Sequence, residues 1–186
     1  MSWTIFGIAS YVLLAIQVGL APLITLNSGY GTITPQFLLM LGVFIGMFAP
    51  TEVVLLAWAM LGAMEDLRTS YVLDGTGMEP LMLVGPYVLG YIFAGYMTVQ
   101  LRGLVFRQHP LAFGIAVFIS GVLAHLVIIT ILMVRNAYDG FLEFSAIDEL
   151  LRRMILLAYT AGVAVLLTKP FMTLTPWFNF QPAKRG

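Results

Sequence analysis

No charged side chain occurs before Glu52, and two further charge-free runs, Pro80 to Leu101 and Pro110 to Val134, follow it. A helix rises about 1.5 Å per residue, so roughly 20 apolar residues cover the hydrocarbon core of a bilayer. The repeated runs predict an all-α polytopic membrane protein, a bundle of six transmembrane helices of which two are short and form a hairpin. The expected spans are about 3–26, 35–49, 51–65, 80–101, 110–134 and 154–169, forming one transmembrane domain over residues 1–186. In the first, Trp3 marks one interface and Asn27-Ser28-Gly29-Tyr30-Gly31 the turn at the other. The run from Pro35 to Met64 is too long for one upright span. Pro50 would interrupt a helix and Glu52 is costly at the bilayer centre, so a tight turn is expected at Ala49-Pro50-Thr51-Glu52. A five-span alternative keeps this run as one tilted helix kinked at Pro50.

Between the spans, Glu65 to Glu79 forms a polar loop with a turn at Asp74-Gly75-Thr76-Gly77, and Arg107 and His109 mark a second connection. The segment from Arg135 to Arg153 mixes Phe141, Leu142, Phe144, Ile147, Leu150 and Leu151 with Asp139, Glu143, Asp148 and Glu149. That mixture suits an interfacial amphipathic turn, with Ser145 placed to cap a helix. Pro170 is expected to end the last span, and Trp177 and Phe178 to anchor at headgroup level.

Composition agrees: 60% of the 186 residues are hydrophobic and 10% charged, with a mean hydropathy of +0.96. Nine basic and nine acidic residues cancel, and no basic cluster could track a phosphate backbone, so no nucleic acid is expected as partner. No Lys or Arg precedes the first apolar run, which is read as a retained span rather than a cleaved signal. Alternating loops place Arg102, Arg107, Lys169, Lys184 and Arg185 on one side and Arg68, Arg135, Arg152 and Arg153 on the other. The bias puts both termini in the cytoplasm.

Candidate chemistry is sparse. With no cysteine and two histidines, neither a thiolate nor a zinc site is expected. There is no Walker phosphate loop, no His-Glu-x-x-His and no Gly-x-Ser-x-Gly. Ser120 and His125 lie five apart, off a common helical face, so no catalytic residue, cofactor or metal is assigned and the chain is read as no enzyme. Gln17 and His125, alone within apolar runs, are read as polar contacts between helices. Small residues recur four apart in every span: Ala15 and Gly19, Gly42 and Gly46, Ala59 and Ala63, Gly90 and Ala94, Ala116 with Ser120 and Ala124, Ala158 and Gly162. Most of these faces are expected to pack within the bundle. Gly42 and Gly46, on a hairpin expected at the periphery, are the candidates for a partner's transmembrane helix. Glu65, Asp66 and Arg68 end an apolar helix, either solvated or as a polar partner contact. Acids oppose the dipole at a helix C-terminus, which calls for a compensating group.

From Pro35 to Leu111 the features follow an order. Pro35-x-Phe37 opens an apolar run and a short hairpin follows; Gly62 then precedes Asp66-Leu67. Next come a loop with Gly75 and Gly77, a span carrying Tyr91, and Arg102 with Arg107 before the following span. This order resembles the bacterial rod-shape-determining protein MreD. The turn near Pro50 lacks basic residues and the loop from Thr69 to Glu79 is long, as in a divergent member. The resemblance implies a non-enzymatic inner-membrane scaffold of lateral peptidoglycan synthesis. Its partners would be an MreC-like protein and, through it, MreB, RodA and a penicillin-binding transpeptidase. MreD also resembles in fold the substrate-binding subunits of energy-coupling-factor vitamin transporters. That second reading implies a ligand pocket near Tyr71, Glu79, Tyr87 and Tyr91, with Gly42, Gly46 and Ala49 docking the coupling subunit.

Overall fold

The structure, a computed structural model, describes residues 1–28, 31–71, 81–82, 84–103, 109–139 and 146–180. The expected turn at Asp74-Gly75-Thr76-Gly77, Glu79, Arg107, the apolar residues Phe141, Leu142 and Phe144, Glu143, the cap Ser145, and the basic Lys184 and Arg185 lie outside the described residues.

Among the described residues seven helices dominate: α1 (Trp3–Gly19), α2 (Ala21–Ile24), α3 (Phe37–Phe48), α4 (Thr51–Arg68), α5 (Pro86–Leu101), α6 (Pro110–Asp139) and α7 (Ala146–Phe178). Two small antiparallel ladders join them. One pairs β1 (Leu26–Ser28) with β2 (Gly31–Ile33), setting Leu26 opposite Ile33. The other pairs β3 (Ser70–Tyr71) with β4 (Leu81–Met82). The helices over Pro110–Tyr138 and Ile147–Phe178 are long and apolar enough to cross a membrane, while Trp3–Gly19 and Phe37–Phe48 are shorter apolar helices.

Successive long helices run back and forth between two ends. The Ser2 amide donates to the Phe178 carbonyl, which joins the start of α1 to the finish of α7. Arg102 Nη1 donates to the Ala49 carbonyl at 2.8 Å, tying the finish of α5 to that of α3 at the same end. At the opposite end Asp66, in the last turn of α4, meets the first turn of α5. Helix α4 packs along α5, α5 along α6, and α6 along α7.

The largest departure from expectation is the position of α3. The segment carrying Gly42 and Gly46 is no peripheral hairpin arm: eleven of its twelve residues are buried, and it is the central rod of the bundle. It touches α1, α4, α5, α6 and α7. A helix apolar on every side is suited to such a position.

Several boundaries also move. The first helix stops at Gly19 rather than continuing to Leu26, because Pro22 occupies the first turn of the separate α2. The helix expected from Pro80 starts at Pro86, after Leu81 and Met82 have paired with Ser70 and Tyr71. Gly85 adopts φ +134°, a conformation open to glycine, and Pro86 then supplies the preset first helical φ. Helix α6 continues past Val134 to Asp139, and α7 starts at Ala146 and passes through Pro170 and Pro176 to Phe178. In an apolar medium every helical hydrogen bond given up has no water to replace it, so a proline inside a helix is tolerated where unwinding would expose still more backbone.

Candidate functional site: a buried polar layer

Toward the Asp66 end, five helices, together with Gln36 just before α3, contribute polar side chains to one layer. Most of them are buried. Asp66 is fully enclosed and takes three backbone N–H groups from the start of α5: Gly85 at 2.8 Å, Tyr87 at 2.9 Å and Val88 at 3.1 Å. A helix N-terminus leaves such donors unsatisfied and carries partial positive charge. Gly85 has no side chain to cap them, so the neighbouring helix supplies the carboxylate. Close approach makes this possible: a Cβ on Gly62 would lie 2.7 Å from the Tyr87 carbonyl oxygen and from Val88 Cα.

Glu65, also fully enclosed, accepts from Gln17 Nε2 at 3.0 Å and from Arg68 Nε at 2.9 Å. Gln17 Oε1 in turn accepts from the Phe37 amide at 2.8 Å, which satisfies a free donor at the start of α3. One amide side chain therefore binds α1, α3 and α4 together. Burial works to lower the Arg68 guanidinium, but the charge of Glu65 and its hydrogen bond outweigh that and raise it above its ordinary range. Both acids are thus internal to the fold, not solvated.

His125 on α6 carries the second half of the layer. Arg153 on α7 has N–H donors only, so where its Nη1 meets His125 Nδ1 the imidazole nitrogen is the acceptor. The ring proton then sits on Nε2, which donates to Gln36 Oε1 at 3.1 Å. The Gln36 backbone N–H donates to Thr160 Oγ1 on α7 at 3.2 Å. Arg153 also donates to Glu149 at 2.7 Å, and its guanidinium carbon lies 5.9 Å from the centre of the Tyr87 ring. Tyr87 stands edge-on to His125 and to Tyr91.

Gln17 and His125 each link different helices through hydrogen bonds. Gln36, Arg153, Thr160 and Tyr87 complete the layer; of these only Tyr87 was among the sequence candidates, and there as a pocket residue. A signal for two of them exists: Arg153, Leu157, Thr160, Ala164, Thr168 and Phe171 form the buried stripe of α7 at helical spacing. Gly42 and Gly46 lie elsewhere. A Cβ on Gly42 would meet the Trp58 ring at 3.0 Å, and one on Gly46 would meet Thr98 Cγ2 at 2.7 Å. Their face is filled from within the chain, leaving no room there for a partner's helix. Of the pocket residues in the transporter reading, Tyr87 and Tyr91 are buried, while Glu79 and the Tyr71 side chain lie outside the described residues.

Two buried polar atoms, Trp58 Nε1 and the Tyr91 hydroxyl, have no hydrogen-bond partner among the described residues. No group of three or more His, Asp or Glu side chains is placed to hold a metal ion among those residues. A groove of about 610 Å³ runs between α1 and α7, lined by apolar side chains including Ile8, Val12, Ile16, Leu167 and Leu174. Neither a family model, nor a curated protein, nor a solved structure matches the chain.

Proposed function

We propose that this chain is a multi-span protein of the bacterial cytoplasmic membrane, with six crossings and both termini in the cytoplasm. It serves as a non-enzymatic scaffold of lateral wall synthesis that binds an MreC-like partner. One observation carries the reading: the buried ionisable groups are engaged with one another and with helix ends instead of converging on an open cavity. Asp66 caps α5, Glu65 holds Gln17 and Arg68, and Arg153 holds His125 and Glu149. A catalytic acid, base or nucleophile needs access to a reacting atom. A framework that presents fixed helices to other proteins needs the rigidity such a layer gives. The order of features from Pro35 to Leu111 supports the rod-shape assignment, and through the MreC-like partner the assembly would reach MreB, RodA and a transpeptidase. Depletion in a rod-shaped host is expected to round the cells with nutrient uptake unchanged, and an affinity-tagged chain to co-purify a single-span MreC-like protein. Normal rods with a vitamin-uptake defect overturn it.

A second reading, the substrate-binding subunit of an energy-coupling-factor transporter, is favoured by the buried Tyr91 hydroxyl and Trp58 indole, which have no hydrogen-bond partner among the described residues. It predicts a small molecule retained through purification, visible by mass spectrometry of the denatured protein.

A further inference from the structure

At the end opposite Asp66, a cavity of about 190 Å³ opens between α3, α5 and α6. Met47, Leu101, Ala116 and Ile119 form apolar walls, and the half-buried Arg102, just past the finish of α5, also lines it. The other two lining residues, Thr98 and Ser120, turn their hydroxyls to each other at 2.7 Å, and Thr98 also donates to the Ala94 carbonyl. Both hydroxyl hydrogens are therefore used within the chain, so these two residues offer no donor to an anionic group. Arg102 differs. Its guanidinium is partly buried, and its one hydrogen bond among the described residues runs to the Ala49 carbonyl. A guanidinium carries five N–H donors, so most of this fork is available. A charged group at membrane depth is costly unless paired.

An apolar slot with a cation at its rim matches the shape of a phospholipid, an acyl chain within and a phosphate at the edge. The cavity exceeds several times the roughly 30 Å³ share of one water molecule. The geometry points to a binding site for one anionic phospholipid, its phosphate on Arg102 and part of one acyl chain between Met47, Leu101, Ala116 and Ile119. The inference rests on the membrane reading above but not on the cell-shape assignment. The lipid joins the finishes of α3 and α5 to α6 and neutralises Arg102 without displacing its bond to Ala49.

The test uses the full chain, purified in mild detergent, stripped of lipid and offered phosphatidylglycerol or phosphatidylcholine. Bound lipid is counted by mass spectrometry, and helicity by circular dichroism confirms folding. Wild type is expected to retain phosphatidylglycerol over phosphatidylcholine by about fivefold, the factor that one basic contact supplies. Arg102→Gln, which removes the charge and keeps a polar side chain, is expected to abolish that preference. Ala116→Leu keeps the charge but fills the slot, and is expected to lose both lipids alike. Inorganic phosphate alone is expected to give no thermal shift; a shift equal to that of the lipid assigns Arg102 to a free anion and overturns the proposal. Equal lipid retention by wild type and both variants also overturns it, with the chain still in the carbonate-resistant membrane pellet. Release of the chain by carbonate instead overturns the membrane reading itself.

Discussion

At the Asp66 end of the bundle the helices meet through directed bonds between unlike groups, carboxylate to amide, imidazole to guanidinium, side-chain amide to helix terminus. At the other end they meet through rings. Phe44 alone contacts Phe48, Phe171, Phe178 and Phe180, with centroids 5.3 to 5.8 Å apart, and Phe113 packs on Phe171. Aromatic pairs are worth about 0.5–1.5 kcal/mol each beyond area burial and tolerate a range of tilts. The ionic layer is less forgiving. Removing one member leaves its partner buried and unpaired, and that penalty exceeds what the intact pair contributes. One end thus fixes the rotation of each helix about its axis, and the other fills space.

The largest expected effect falls on the directed end. Asp66→Ala leaves three N–H groups without an acceptor and is expected to destabilise the protein by about 4 kcal/mol, read from denaturant unfolding in detergent micelles. Asp66→Asn keeps one acceptor oxygen and should lose less; equal losses would mean the charge does not matter. At the aromatic end, Phe44→Ala is expected to cost about 3 kcal/mol, but Phe44→Leu less than about 1.5 kcal/mol, because volume rather than direction counts there. A Leu variant as damaged as the Ala variant would erase the contrast between the two ends.

Midway, Gly90 sits against α6, where a Cβ would lie 2.7 Å from the Ala124 carbonyl oxygen. Gly90→Ala should therefore lose about 2 kcal/mol in the same assay, while Gly162→Ala, with nothing within 4 Å of its Cβ, should change stability by under about 0.5 kcal/mol. Apart from the near-silent Gly162 change, the smallest expected effect is the coupling of Gln17 to Glu65. A double-mutant cycle with both changed to Leu is expected to give about 1 kcal/mol, near the range for hydrogen bonds between helices in membranes. A cycle that closes to zero would mean that the two residues do not act as a pair.

Much of this was legible from residue type where backbone chemistry decides the outcome. Pro50 separates α3 from α4, and Gln17 and His125 stood out as polar side chains in apolar runs. The dipole at the finish of α4 indicated that Glu65 and Asp66 required compensation, although not that the start of α5 and Gln17 would supply it. Two prolines competed to open α5. Pro86 prevails because Gly85 before it can take a positive φ, which the composition of the segment does not reveal. The centrality of α3 was hidden for a different reason: in a chain this apolar, hydrophobicity no longer separates an inner helix from an outer one. Gly42 and Gly46 were misplaced for the same cause, since small residues mark close contacts without saying whose. Arg153 was grouped with loop charges, because its reach to His125 depends on α7 starting at Ala146.

The shortness of α3 carries a consequence for how the chain is made. Twelve residues rise about 18 Å, well under the roughly 30 Å of a bilayer core. Such a segment is a poor substrate for one-at-a-time insertion during synthesis. Too short to cross alone, it depends on α4, joined to it through Ala49 and Pro50, and on the four other helices that enclose it.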